Sequence, residues 1–315
     1  MYFPFLYGRR AELLAIRAML TDRRDRSALF PVVEPVRSDI GDLRRCLESC
    51  EKKDQPVLVV INPTQGQLAG TAQRTWLREA KVVLGACPPA IPTFQTSNRT
   101  SFAQLVAALD QFPDRDLAVI HNGAVFAQPD LRQLTRDHRI VWHVAVDGRL
   151  PAQQLNLLPA AKKVLMRDGF RKLGRNADYA GTEYFSDQHQ TFTPAAGFGD
   201  YVCIGSEYKE GGGPAGAVAI HAVFKEPASG HVWIEHFVSD DNDVNDRDVA
   251  KKFFQAANYL VRAVRQRPRE FGGNQALDAY ADCVRRSYFP GLSKNKEYQM
   301  VHHMCLVLDV LSGAV

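Results

Sequence analysis

The strongest constraint on the fold of this chain is a regular alternation of short β-rich runs with segments that have helical spacing. The β-rich runs cover residues 2–7, 30–36, 57–62, 90–95, 117–122, 140–146, 164–168 and 201–206. Between two of them, the bulky apolar residues from Phe102 to Leu109 follow the i, i+3, i+4, i+7 spacing of a helix face, and Ser101 is a suitable N-cap residue. This alternation predicts a parallel β-sheet covered by helices.

The count of eight runs favours a closed barrel, because closure leaves no sheet edge unpaired. The alternative is an open, doubly wound sheet. Such a sheet usually carries a Gly-x-Gly-x-x-Gly phosphate turn after its first strand, whereas here only Gly8 follows that strand. We therefore predict an α/β fold of the (β/α)8 TIM-barrel type.

The pattern changes after the eighth run. Residues 217–225 and 231–238 are typical of a β-hairpin, and helices follow, the last of them over about residues 297–311. We expect a barrel-like domain at residues 1–210 and, at residues 211–315, a hairpin with helices that packs on the barrel as an extension.

The composition is that of a globular protein. The chain has 315 residues, of which 45% are hydrophobic and 23% charged, so it can bury a large core. No apolar run approaches the roughly 18 residues of a membrane span, and the first ten residues lack the order of a secretory signal. The six cysteines include no Cys-x-x-Cys pair that would indicate a zinc or redox site. These features predict a cytoplasmic protein with reduced cysteines and no membrane association.

The charge is small overall and uneven along the chain. Lys and Arg number 39 and Asp and Glu 35, which gives a net charge of +4. That is too little by itself to indicate nucleic-acid binding. Basic residues cluster from Lys162 to Arg175, and acidic residues from Glu235 to Asp248. Either cluster fits a solvated face, and the basic one also fits an anion site or a nucleic-acid surface.

Polar residues close the predicted strands, at the end where a barrel carries its active site. They are Glu34, Asn62, Gln95, His121, Asn122, Asp147, Arg167, Asp168, Ser206 and Glu207, and His143 lies within the sixth strand. We take Glu34, Asp168 and His143 as candidate catalytic residues, because a carboxylate or an imidazole can act as a general acid or base.

The other strand-end residues are candidates for binding. Asn62 and Asn122 can orient a polar substrate, and Arg167 can hold an anion. For Asn62 and Asp147 an ordinary turn is an equally good explanation, because Asn-Pro and Asp-Gly are common turn sequences.

A glycine-rich segment follows the eighth run. It consists of Lys209, Glu210, Gly211, Gly212, Gly213 and Pro214. Loops after the last two strands of such barrels often bind phosphate through backbone N–H groups that glycine leaves accessible. With Arg167, Arg171 and Lys172 after the seventh run, Lys209, Gly211 and Gly212 predict an anion or phosphate pocket. A flexible hairpin loop is the alternative.

The motifs indicate no metal site and leave the cofactor unknown. A calcium loop aligned on Asp241 fails, because Asp246 stands at its glycine position and Lys252 at its last ligand. His221 and His236 can face each other across the hairpin, but such a pair without a third ligand is more often simply hydrogen-bonded. Signatures of P-loop proteins, zinc proteases, serine hydrolases and kinases are absent from the sequence.

The order of several short motifs resembles the bacterial and phage beta family proteins, which are named after a T4 phage beta protein. The motifs are YFPFLYGR at residues 2–9, ELLA at 12–15, PVVEPV at 31–36, RNADY at 175–179, GDY at 199–201, GGGPA at 211–215, VAIH at 218–221 and HFVSD at 236–240. The likeness spans nearly the whole chain. It implies a cytoplasmic protein of phage–host conflict, such as anti-phage defence, and implies no particular reaction.

The resemblance also singles out residues within the matching segments. They are Glu34, Arg175, Asn176, Asp178, His221, His236 and Asp240. We take Arg175, Asn176, His221, His236 and Asp240, together with Arg9, as further candidates for binding a substrate or anion. Where the family has a lysine near the start, this chain has Arg9 and Arg10. Arginine keeps the positive charge but excludes chemistry that needs a lysine amine, such as a Schiff base.

Three functions are open at this point. The first is an enzyme that hydrolyses, or a protein that binds, a phosphorylated or nucleotide-like small molecule at the barrel mouth. The second is a non-catalytic subunit of a defence complex whose C-terminal region binds a protein partner such as a nuclease, which predicts an exposed apolar patch there. The third is nucleic-acid binding through the basic cluster, which predicts an affinity that falls steeply with salt.

Overall fold

The computed structural model describes residues 1–70, 72–211 and 216–315, and these residues form two compact units. The first unit consists of Met1–Leu13, Arg26–Asp168 and Gln190–Asp200, and the second of Leu14–Asp25, Gly169–His189 and Tyr201–Val315. Each unit contains one of the two β-sheets.

The first unit contains a closed barrel of eight parallel strands, which confirms the predicted (β/α)8 TIM-barrel-like fold. The strands are β1 (Tyr2–Leu6), β2 (Val32–Val33), β3 (Val57–Val60), β4 (Ala90–Gln95), β5 (Leu117–His121), β6 (Ile140–Val146), β7 (Lys163–Met166) and β9 (Gly197–Asp200), while β8 (Thr182–Ser186) belongs to the other sheet. The helices in this part of the chain are α1 (Arg10–Met19), α2 (Gly41–Glu51), α3 (Ala72–Gly85), α4 (Phe102–Leu109), α5 (Gln128–Arg136) and α6 (Ala152–Leu157). Helix α4 begins as expected after Ser101, whose side chain forms a capping box with Gln104.

The eighth barrel strand is β9, and the expectation of a strand at residues 201–206 is wrong. Residues 202–204 form a turn, in which Val202 has a φ of 52°. Glycine is depleted in strands, and the two glycines of β9 hid this strand from the sequence pattern. At Gly199 the fold requires glycine, because a Cβ atom would lie 2.6 Å from Cε of Met166 and closer still to the carbonyl oxygen of Phe3.

The strand register defines which side chains face the barrel interior. The rings of Phe3 on β1 and Trp142 on β6 lie 5.3 Å apart between centroids, although these two strands are not neighbours in the barrel. Their contact therefore crosses the interior, and Phe30 packs against both rings. Because side chains alternate between the two faces of a strand, Trp142 faces inward and its neighbour His143 faces outward.

The second unit contains a three-stranded antiparallel sheet in the order β10–β11–β8, formed by β10 (Ala219–Lys225), β11 (Val232–Val238) and β8. Strands β10 and β11 form the predicted hairpin, and β8 pairs with the other edge of β11. The helices from residue 188 onward are α7 (Gln188–Thr191), α8 (Val249–Gln266), α9 (Pro268–Phe271), α10 (Gln275–Arg286) and α11 (Leu292–Ser312). One sheet face packs through Ile220 and Phe237 into a core with Phe253 and Tyr280. The opposite face carries His221 and His236, which are direct partners in the register.

In the part of the chain that the structure describes, no helix combines the length and the apolar character that a membrane span needs. All six cysteines are free and buried. Burial raises the pKa of the Cys87 thiol to about 11 and that of Cys305 to about 12, so both thiols are protonated and poorly nucleophilic at neutral pH.

Candidate active site at the carboxyl end of the barrel

Glu34 is a buried acid at the carboxyl end of the barrel strands. It directly follows β2, and because Val32 is in register with Phe5, alternation along the strand turns Glu34 to the interior side. Glu34 is only 2% exposed. Its Oε1 accepts hydrogen bonds from the backbone N–H of Thr64 at 3.0 Å and from the Thr64 hydroxyl at 3.3 Å, and no described residue hydrogen-bonds its Oε2. Burial raises the pKa of Glu34, and the two bonds from Thr64 offset only part of that effect.

Asn62 and Asn122 lie at the same end of the barrel. The Asn62 amide donates to the carbonyl of Gln95 at 2.7 Å and accepts from the backbone N–H of Gln95 at 2.8 Å, so it continues the pairing of β3 with β4 past the end of β3. The backbone N–H of Asn122 donates to the hydroxyl of Thr96 at 2.9 Å, while its side chain makes no hydrogen bond with a described residue. Asn62 therefore has a structural role, and the side chain of Asn122 is the better placed of the two to bind a ligand.

Three charged candidates follow the carboxyl ends of β1 and β7. Arg9 is half-buried and directly precedes α1. Arg167 pairs with Asp147, with 3.5 Å between Nε and Oδ2, but the side chains are 46% and 68% exposed, so this ion pair adds little stability. Asp168, the next residue, is also exposed. None of these groups has the burial that raises the pKa of Glu34.

His143 lies away from this interior site, although it was a candidate catalytic residue. On the outer face of the barrel sheet, its Nδ1 lies 3.1 Å from Nε2 of His121, and both residues are fully buried. Burial lowers the pKa of His121 to about 4 and lowers that of His143 as well. The remaining ring nitrogens, Nδ1 of His121 and Nε2 of His143, have no hydrogen-bond partner among the described residues. The outward orientation separates this pair from Glu34, and strand alternation could have predicted it from the sequence once the inward residues were known.

The basic cluster from Lys162 to Arg175 is divided between the two units. Arg167 belongs to the first unit, whereas Arg171 and Arg175 belong to the second. Arg171 donates to both carboxylate oxygens of Glu183, at 2.9 Å each, and Arg175 donates to Asp178 at 2.6 Å. The last two arginines therefore have local carboxylate partners in the second unit.

The residues predicted to complete a phosphate pocket are also in the second unit. Nζ of Lys209 lies 3.4 Å from Oε2 of Glu207, and Gly211 is exposed with a φ of 81°. Gly212 lies outside the described residues. Asn176 uses its side-chain amide to donate to the carbonyl of Ala217 at 3.0 Å.

His221 and His236 form a hydrogen-bonded chain with Glu183. Nδ1 of His221 lies 2.8 Å from Nδ1 of His236, and Nε2 of His236 lies 3.0 Å from Oε1 of Glu183. The Tyr179 ring packs on both imidazoles, with centroid distances of 4.5 Å and 4.9 Å. Burial lowers the pKa of His221 to about 3 and also lowers that of His236. Both rings are therefore neutral near pH 7 and supply no positive charge for an anion.

The acidic segment of the second unit contacts the ammonium group of a buried lysine. Lys252 is fully buried, and its ammonium donates to the carbonyl of Asp243 at 2.5 Å and to that of Asp246 at 2.7 Å. Asp240 accepts a hydrogen bond from the hydroxyl of Tyr259 at 2.7 Å. Within residues 1–70, 72–211 and 216–315, no group of three or more His, Cys, Asp and Glu side chains is arranged to hold a metal ion.

A cavity of about 390 Å³ opens among the loops that follow β1, β2 and β3. Its lining includes Gly8, Arg10, Pro35, Arg37, Gln67 and Trp76. None of the last three was predicted from the sequence as a site residue, because they lie beyond the strand ends on the loops and on α3. The available signal was the position of these segments after the first three strands, at the face where barrels carry their sites.

Comparison with protein-family models and with curated proteins gives no match for this chain.

Proposed function

We propose that the carboxyl mouth of the barrel is the active site of an enzyme in which Glu34 acts as a general acid or base on a small, phosphorylated or nucleotide-like molecule. The observation that carries the proposal is the state of Glu34, which is 2% exposed and has one carboxylate oxygen without a described hydrogen-bond partner. Among the charged candidates of the first unit, Glu34 is the one whose carboxylate is buried. It lies at the face where barrels of this type carry their active sites.

A raised pKa suits this role. A carboxyl group with an ordinary pKa is a weak base near neutral pH, whereas burial brings the pKa of Glu34 closer to the working pH. Oε1 is held by Thr64, so Oε2 is the atom from which a proton would be given to, or taken from, a bound molecule. The reaction class that fits best is hydrolysis, with Glu34 removing a proton from water or protonating a leaving group.

The test is release of inorganic phosphate from a panel of nucleotides and sugar phosphates by the wild-type protein and by Glu34→Gln. The variant keeps the shape of the side chain and removes its acid–base chemistry, so we expect turnover to fall by about 10²-fold to 10⁴-fold. Glu48→Gln is the control, because Glu48 is exposed on α2 and away from the strand ends. Equal turnover in Glu34→Gln and the wild type, or no turnover by the wild type on any member of the panel, would count against the proposal.

We also propose that this activity serves phage–host conflict in the cytoplasm, a role supported by the resemblance to beta family proteins. Cells that express the wild-type chain are expected to give fewer phage plaques than cells that express Glu34→Gln at the same level. Equal plaque counts for both would contradict the defence role without bearing on the enzymatic proposal.

Partner binding through the C-terminal region is a second candidate. Tyr288 and Leu292 are 56% and 40% exposed where α10 leads into α11, and they supply apolar surface there. If this surface binds a defence subunit such as a nuclease, a protein from phage-infected cells should co-purify with the wild type and with Glu34→Gln. It should be lost from the double variant Tyr288→Ser, Leu292→Ser. Nucleic-acid binding has weaker support, since Arg171 and Arg175 already have carboxylate partners.

A further inference from the structure

We infer that the cavity among the loops after β1, β2 and β3 binds an oxyanion, a phosphate or carboxylate group, of the molecule on which Glu34 acts; this inference rests on the proposed function. From the sequence, the anion site was expected after the last two strands. The structure instead provides a partly open cavity of about 390 Å³ beside the segment that carries Glu34.

The cavity wall includes a buried hydrogen-bond donor without an acceptor. Trp76 of α3 is 3% exposed and lines the cavity, and its indole Nε1 has no partner among the described residues. A buried donor left without an acceptor is unfavourable, because it has lost its hydrogen bond to water. A ligand oxygen that accepts from this N–H would remove that cost.

Arg10 and Gln67 supply further donors. Arg10 is an exposed residue of the cavity lining, and its guanidinium makes no ion pair or hydrogen bond with a described residue. The Gln67 side-chain oxygen accepts from the backbone N–H and the hydroxyl of Ser38, at 3.1 Å and 3.2 Å, so its amide N–H groups are left for another partner. A guanidinium, an amide and an indole N–H together match a group with several acceptor oxygens and a negative charge.

Two carboxylates also line the cavity, and both have partners at the start of α2. Oδ1 of Asp39 accepts from the backbone N–H of Gly41 at 2.8 Å, and Asp42 forms an ion pair with Arg45. Arg37 adds a second guanidinium to the lining. Arg45 therefore balances the charge of Asp42, and the backbone bond leaves the charge of Asp39 in place, whereas Arg10 has no ion-pair partner among the described residues.

Gly8 lies between the cavity and the backbone of Glu34. A Cβ atom at Gly8 would lie 3.0 Å from Cα of Pro35 and 3.3 Å from the carbonyl oxygen of Glu34. The loop after β1 thus approaches the backbone of Glu34 as closely as glycine allows, and Gly8 and Pro35 both line the cavity. A ligand held there by its oxyanion would lie beside the backbone of the segment that carries Glu34.

The test is a titration of the full chain with inorganic phosphate. Binding is measured by calorimetry and by the shifts of the indole N–H signals in ¹H–¹⁵N NMR spectra. Malonate, titrated in parallel, distinguishes a carboxylate site from a phosphate site. In the wild type we expect the indole signal that is missing from Trp76→Phe to shift on saturation. Arg10→Gln should weaken binding about tenfold and Trp76→Phe about fivefold.

Arg78→Gln is the matched control, because it removes the same charge as Arg10→Gln. Arg78 is exposed on the same helix as Trp76 and does not line the cavity. It should change the affinity less than twofold. If Arg10→Gln and Arg78→Gln weaken binding equally, or if the Trp76 signal of the wild type does not respond to either anion, the inference is wrong. Glu34→Gln should retain phosphate binding while losing turnover, so failure of the anion site and failure of the proposed catalysis give different results.

Discussion

His221 and His236 face each other across β10 and β11 with 2.8 Å between their Nδ1 atoms. One of these atoms must donate and the other accept, so the two rings cannot both carry a proton on Nδ1. Arg171 and His236 lower the pKa of Glu183, which is therefore ionised and accepts from Nε2–H of His236. A neutral His236 then accepts at Nδ1, and His221 donates from its own Nδ1.

This arrangement predicts destabilisation by mild acid. An unfolded histidine binds a proton below about pH 6.5, whereas the pKa of folded His221 is lowered to about 3. Between these values the unfolded state holds more protons, so the free energy of unfolding decreases as the pH falls. From pH 7 to pH 5 the loss is about 2 kcal/mol for one such histidine. Urea unfolding at both pH values should show a smaller loss for His221→Gln than for the wild type, and equal losses would contradict the assignment.

Thr64→Val should raise the pKa of Glu34 further. The substitution removes the hydroxyl that donates to Oε1 at 3.3 Å and keeps the backbone N–H bond at 3.0 Å. Both bonds favour the ionised carboxylate, so the loss of one shifts the equilibrium toward the protonated acid. The measurement is an NMR pH titration of the Glu34 carboxyl carbon, assigned with Glu34→Gln. A pKa that moves downward in Thr64→Val would show that the hydroxyl does not act on Glu34 in this way.

Gly199→Ala should prevent the barrel from closing normally. The new Cβ would collide with the carbonyl oxygen of Phe3 and lie 2.6 Å from Cε of Met166, and the Phe3 backbone cannot move aside without disturbing β1. We expect a loss of at least about 3 kcal/mol in the free energy of unfolding. Gly85→Ala is the control, since a Cβ added there, at the end of α3, would have nothing within 4 Å. Urea unfolding should find the control unchanged or slightly more stable, and similar losses in both variants would refute the steric argument.

Lys252→Met should destabilise the second unit strongly. The ammonium is fully buried, and its removal leaves the carbonyl oxygens of Asp243 and Asp246 without this donor. We expect a loss of about 3–5 kcal/mol in the free energy of unfolding. Lys251→Met removes a neighbouring but exposed lysine, and its thermal midpoint should stay close to that of the wild type. A Lys252→Met protein as stable as the Lys251→Met protein would mean that the buried ammonium is not needed to hold the acidic segment.

The barrel could be predicted from the sequence because the signals for its strands and helices come from residues that lie close together in the chain. The apolar spacing from Phe102 to Leu109 and the N-cap at Ser101 lie within a few residues of each other, and helix α4 forms where they indicate. The hairpin at β10 and β11 followed in the same way from two β-rich runs with a turn between them. Strand β9 escaped prediction because its glycines are explained only by Phe3 and Met166, which lie far away in the chain.

The candidate site could be predicted only in part. Glu34 was recognised because an acid follows directly on an apolar strand, and the structure places it at the carboxyl end of β2. Its burial and its bond to Thr64, 30 residues later, could not be read from that position. The anion residues were predicted from clustered charge, but Arg171 and Arg175 have local carboxylate partners. Arg10, which has no partner among the described residues, lies outside that cluster.

By itself the sequence determined the strand–helix alternation, the hairpin and the place of Glu34 at a strand end, since periodicity and capping depend on residues close together in the chain. The tertiary structure alone decided that His121 lies against His143, that Glu183 joins His236, and that Trp76 lines a cavity beside Pro35. These relations depend on the register of neighbouring strands and on the burial of side chains. Both arise only when segments distant in the sequence pack together.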